Sequence, residues 1–163
     1  MKKVKSFLAV VMALIMSMSF VSVAFAADVT EADATNGVAE GADVFAVGDN
    51  VTGKINSSED VDFYAFTTAK DGLITVTVEH EAKAEATGTY FTVEISDKDG
   101  KVLATFDVAA NAASVSSPAF GAVAGKYFVK MTKGTVCDST VEYKLSAIIN
   151  EKALCEYEAN DTT

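Results

Sequence analysis

From position 51 onward, apolar and polar side chains alternate in short runs, the period of a half-buried β-strand. Ile74, Val76 and Val78 fall on one face with Thr75 and Thr77 on the other, and Phe91, Val93 and Ile95 alternate with Thr92, Glu94 and Ser96. Tyr127, Val129 and Met131 repeat the pattern, as do Tyr143, Leu145 and Ala147, while Lys130, Glu142, Lys144 and Ser146 mark a solvated face. These runs, rich in β-branched and aromatic residues, predict strands over 51–55, 61–67, 73–79, 90–96, 102–106, 126–132 and 141–149. Turn chemistry separates them: Lys70-Asp71-Gly72, Asp97-Lys98-Asp99-Gly100, Ala124-Gly125 and Lys133-Gly134. Asp99-Gly100 between two apolar strands predicts that 90–96 and 102–106 pair directly as a hairpin. Seven to eight strands at this spacing make an all-β, antiparallel β-sandwich. Two segments carry no decisive strand period. Residues 81–86 favour helix by composition but are too short to hold one, and 109–117 is Ala, Asn, Ser and Val; both are assigned to loops.

The chain ends change the picture. Lys2, Lys3 and Lys5 precede an uncharged apolar run from Phe7 to Phe25, and Ala24-Phe25-Ala26 places small residues where a signal peptidase reads. Residues 1–26 are therefore expected to be a signal peptide cut after Ala26, with no membrane insertion afterwards. Removing 26 of 163 residues leaves 137, enough for one core and too few for two ordinary domains. The net charge of −10 becomes −13 once the three leader lysines are gone, and the chain has no arginine. Such a surface repels phosphate backbones, which argues against nucleic acid, and suits hard cations as counterions. Residues 27–43 read as a flexible acidic lead-in, and the sandwich spans 44–150.

Candidate chemistry centres on the entry to the second predicted strand. Asp60, Asp62, Tyr64 and Phe66 share one side of it, two carboxylates leading into two aromatic anchors, an arrangement that suits a cation at a sandwich edge. Two solvated carboxylates at a strand entry would look the same. A catalytic reading has little support: His80 is the only histidine and reads as a solvated surface residue, and neither Gly-x-Ser-x-Gly nor His-Glu-x-x-His occurs. Cys137 and Cys155, in an exported chain, form a disulfide, remain free thiols or bond to another partner. Phe63 and Phe128 lie on the opposite parity from their strands' core positions and are the aromatic candidates for an exposed binding surface.

Taken in order, Val51-Thr52-Gly53-Lys54-Ile55, Asp60-Val61-Asp62-Phe63-Tyr64-Ala65-Phe66 and Ile95-Ser96-Asp97-Lys98-Asp99-Gly100-Lys101-Val102-Leu103 resemble the bacterial pre-peptidase C-terminal domain. Ala124-Gly125-Lys126-Tyr127-Phe128-Val129-Lys130-Met131 and Val141-Glu142-Tyr143-Lys144-Leu145-Ser146 continue the likeness. The resemblance implies a jelly-roll-like form of that sandwich and a secreted, non-catalytic accessory module of a larger extracellular protein, from a bacterium and in particular a Gram-positive one. Such a module binds an extracellular protein or polysaccharide, assists an attached enzyme, or serves as a structural spacer among neighbouring domains of a surface stalk. It also implies calcium, held between an opening Glu-x-Glu-x-Asn-Asp-Thr and a later Asp-x-Asp. Here Asp60 and Asp62 match the second half, whereas Glu31, Asp33 and Asn36 keep the residue types of the first without its spacing. Glu156, Glu158, Asn160 and Asp161 sit in an intact copy of the opening motif. They begin a second module of a longer protein, with 151–163 as the linker and its start, form an acidic tail, or fold back to complete this module.

Overall fold

The structure, a computed structural model, describes residues 26–32, 35–137 and 139–151. The leader up to residue 25, Asp33, Cys155 and the motif residues Glu156, Glu158, Asn160 and Asp161 lie outside the described residues. Among the described residues, eleven strands form two facing sheets. One sheet orders β1 (Asp28–Thr30), β3 (Asn50–Lys54), β11 (Glu142–Asn150), β5 (Gly72–His80) and β8 (Ser114–Ser116), with β9 (Phe120–Ala122) also pairing with β5. The other orders β2 (Asp43–Val44), β4 (Val61–Thr68), β10 (Gly125–Lys133), β6 (Thr89–Asp97) and β7 (Val102–Ala109).

The seven long strands are those the alternation marks, and their inward faces meet as one core. Val51, Ile74, Val76, Val78, Tyr143, Leu145 and Ala147 from the first sheet pack on Tyr64, Phe66, Phe91, Val93, Ile95, Tyr127, Val129 and Met131 from the second. The hairpin of β6 with β7 is formed as the Asp-Gly signal predicts. Gly100 takes φ 80°, a region that costs a glycine nothing, and the Asp97 carboxylate accepts the amide protons of Asp99 and Lys101 to hold the turn. A register shift between Thr89 and Phe91 turns two successive residues, Tyr90 and Phe91, inward.

The short strands differ from the sequence expectations. Residues 109–117, assigned to a loop, contribute β8 to the edge of the first sheet. The stretch 27–43, read as a lead-in, supplies β1, a short 3-10 turn (Ala39–Gly41) and the first residue of β2. Both β1 and β2 pair in parallel, with β3 and β4 respectively, so the sheets are mixed rather than purely antiparallel. The backbone around β2 also covers the outer edge of β4: the Phe63 amide donates to the Asn36 carbonyl at 2.7 Å, and the Phe45 amide to the Ala65 carbonyl at 3.0 Å.

Candidate functional site

Strand parity directs Asp62, Tyr64 and Phe66 of β4 inward together, and Asp62 is fully buried rather than lying solvated at the strand entry. On the facing sheet Gly53, Tyr143 and His80 stand side by side in one row across β3, β11 and β5. A Cβ on Gly53 would come within 2.6 Å of both the Tyr64 and Tyr143 hydroxyls and closer still to Glu31. Glycine therefore leaves the space in which polar groups from both sheets meet.

Four side chains fill that space. Tyr143 Oη donates to Asp62 Oδ2 at 2.5 Å and lies 2.6 Å from Tyr64 Oη, and Tyr64 Oη lies 2.8 Å from Glu31 Oε2. Tyr143 Oη is also 3.3 Å from the same Glu31 oxygen, while Glu31 Oε1 accepts the Lys54 amide at 2.6 Å. The three contacts of 2.8 Å or less along Glu31–Tyr64–Tyr143–Asp62 need a proton each, and two phenols supply two. The third is a carboxyl proton, or its role passes to a cation on the carboxylates. Burial, opposed by the hydrogen bond from Tyr143 and reinforced by the charges of Asp62 and Glu31, pushes the Tyr64 phenol far above its ordinary range. Tyr143 is pushed up as well, by burial first and then by Tyr64, Asp62 and Glu31. Both phenols are therefore neutral hydrogen-bonding groups, unsuited to act as bases.

Of the residues singled out in the sequence as metal candidates, Glu31 and Asp62 are brought together through Tyr143. Asn36 is also buried, but its side-chain partner is another residue: its amide nitrogen donates to Asp43 Oδ2 at 3.4 Å, which also accepts the Ala32 amide at 2.7 Å. Asp60 is not part of this group; its carboxylate accepts the Asn56 amide at 2.6 Å and closes the turn before β4. Among the described residues, no group of three or more histidine, cysteine, aspartate or glutamate side chains is placed to hold a metal. Two carboxylates and two phenols meet here, fewer oxygens than the six to eight a calcium ion takes. Cys137 is buried.

His80 corrects its expectation. It is 8% exposed, because its parity continues that of Ile74, Val76 and Val78 and turns it inward. Its ring nitrogens lie 2.9 Å from the Glu81 carbonyl and 3.1 Å from the Ala109 carbonyl, and its ring meets Tyr90 edge-on at 4.9 Å. Phe63 and Phe128, the aromatic surface candidates, are half-buried on the outer face of their sheet, with Lys126 Nζ 4.7 Å from the centre of the Phe128 ring. A feature the sequence did not single out is a surface groove of about 630 Å³ across β3, β11 and β5, lined by Thr52, Glu79, Glu81, Lys83, Glu142 and Lys144 among others.

Comparison with known proteins adds the fold's relatives. The chain is similar to the pre-peptidase C-terminal domain of collagenase from Bacillus anthracis, at 22% identity over 65% of this chain and 93% of that one, with a TM-score of 0.50. It also aligns, at 10% identity and a TM-score of 0.38, with 76% of its length on 13% of a β-glucosidase from Paenibacillus barengoltzii, a likeness too distant to carry an argument. No protein-family model matches the chain. No curated protein matches it either. The first of these solved structures supports a fold like that of the pre-peptidase C-terminal domain, an all-β sandwich.

Proposed function

We propose that this chain is a secreted, non-catalytic accessory module that binds an extracellular polymer, protein or polysaccharide, on behalf of a larger protein. The observation that carries the reading is the sandwich fold shared with nearly the whole of a collagenase's pre-peptidase C-terminal domain. The export leader read in the sequence and the acidic, arginine-free composition agree with work outside the cell. The groove over β3, β11 and β5 is the proposed contact surface: hydroxyls and charges of both signs line it, which suits a polar chain more than an apolar ligand. The test is retention of residues 27–163 on insoluble collagen, chitin, cellulose and peptidoglycan, with soluble products assayed in parallel. Retention on one of these without product is expected. A module left in the supernatant by all four would refute the binding role, and release of product would make it an enzyme.

The copy of the opening motif at Glu156 to Asp161 favours a second reading, a spacer in a tandem surface stalk that contacts only its neighbours. Calcium fits either role. Glu31 and Asp62 would hold the ion. Charge on the two carboxylates, of which Asp62 is fully buried, would then be balanced by the cation in place of a shared proton. Calcium is expected to raise the melting temperature of the wild type relative to chelator, and Asp62→Asn to abolish the rise. Coincident wild-type melting curves in calcium and in chelator would remove calcium from the account.

A further inference from the structure

The first residue of the expected mature chain meets a receptor in the fold. Ala26 and Ala27 are both exposed, and β1 starts one residue later, in register with β3 from the pair Asp28 and Asn50. Ala27 is held at both of its backbone groups. Its nitrogen donates to Asp49 Oδ1 at 2.9 Å, and its carbonyl accepts the Asn50 amide at 3.0 Å. Asp49 is itself fixed by a local turn: its amide donates to the Ala46 carbonyl at 2.9 Å, and its Oδ2 accepts the Ala46 amide at 3.1 Å. The carboxylate is thus aimed at residue 27 before that residue arrives. The lysine ion pairs Lys54–Glu142, Lys70–Glu151 and Lys98–Asp99 lie elsewhere.

We propose that Asp49 is a receptor for the processed N-terminus, so that leader removal after Ala26 completes the clasp of β1 on the sandwich. The proposal rests on the leader reading and not on the polymer-binding one. Hydrolysis of the Ala26–Ala27 amide by a signal peptidase adds one water, leaving a carboxylate on Ala26 and an amine on Ala27 that takes up a proton at neutral pH. The neutral amide hydrogen bond to Asp49 in the precursor becomes a charge-assisted one in the product, at the same site. What it holds matters. Four residues along, the Glu31 amide donates to the Thr52 carbonyl at 3.0 Å and the Glu31 side chain enters the buried tyrosine pair. Processing therefore tightens the strand that delivers Glu31 to the interior.

The test compares chains that begin at Ala27, released from a scarless fusion, with chains carrying Gly-Ser ahead of Ala27, each with Asp49 and with Asp49→Asn. Asparagine keeps the oxygen acceptor of the turn and removes the charge. Hydrogen exchange is read at the Asn50 and Glu31 amides. At low salt the Ala27 chain is expected to open about two- to fivefold less often than the extended chain, the range of a solvent-accessible ion pair. That advantage is expected to vanish in Asp49→Asn and to shrink as salt is added. Equal protection in the two Asp49 chains, or an advantage that survives Asp49→Asn, overturns the proposal. The N-terminal mass of the naturally secreted protein tests the leader separately: a start other than Ala27 refutes processing at this bond, whatever the exchange data say of Asp49.

Discussion

Removing the Tyr143 hydroxyl should destabilise the fold far more than removing that of Tyr90, although both rings are buried core aromatics. Tyr143 Oη donates to the fully buried Asp62 carboxylate at 2.5 Å and sits 2.6 Å from Tyr64 Oη. A hydrogen bond to a charged group contributes about 1.5–3 kcal/mol and a neutral one about 1 kcal/mol, so Tyr143→Phe should cost about 3 kcal/mol. For a chain of 137 residues that is a fall of about 10 °C in melting temperature. Tyr90 Oη is buried with no hydrogen-bond partner among the described residues. Tyr90→Phe should therefore leave the melting temperature unchanged or raise it, since the hydroxyl was desolvated without compensation. Thermal melts followed by far-ultraviolet circular dichroism, with urea midpoints to convert to free energy, make the comparison. Equal losses in the two variants, or a Tyr143→Phe protein within 2 °C of wild type on the scale of these estimates, would refute the reasoning.

Three further outcomes follow from the same geometry. Gly53→Ala should cost about 1–3 kcal/mol, because its Cβ would displace both phenols and Glu31; protease nicking within 27–43 should accelerate with it, and an unchanged nicking rate would count against the clasp. The phenols of Tyr64 and Tyr143 are held protonated in the fold, whereas the unfolded chain releases theirs near pH 10. Below that pH neither state loses these protons and stability is indifferent to them; above it stability should fall by about 1.4 kcal/mol per pH unit for each tyrosine. Urea midpoints between pH 8 and 11 would show this, and Tyr64→Phe should reduce the slope; an unchanged slope would remove Tyr64 from the titration. Glu31→Gln keeps an acceptor for the Lys54 amide and removes the carboxylate, so Lys54 exchange should change less than in Glu31→Ala. Equal loss of protection in both would show that the carbonyl oxygen alone does not hold β1.

The long strands and the β6–β7 hairpin could be read from the sequence because each carries several alternating positions and specific turn residues. Strands β1, β2, β8 and β9 have two or three residues each, too few for any period, and their pairing partners are distant in the chain. Alternation also gives the face of a residue and not its depth or its neighbour on the other sheet. Tyr64 and Tyr143 could thus be placed in the core, but not their hydroxyls in contact across it, nor the gap that Gly53 leaves for them. Following parity one residue beyond Glu79 would have found His80 inside. Asp60 and Asp62 show the limit from the other side: the same parity, yet one carboxylate closes a turn and the other lies sealed against Tyr143.

The accessory role is tested most directly by joining residues 27–163 to a hydrolase of known activity and measuring turnover of the same polymer in soluble and insoluble form. On the polymer that retains the isolated module, the fusion should degrade insoluble substrate faster than the hydrolase alone and soluble substrate at the same rate. Equal rates on the insoluble polymer with and without the module would contradict the account.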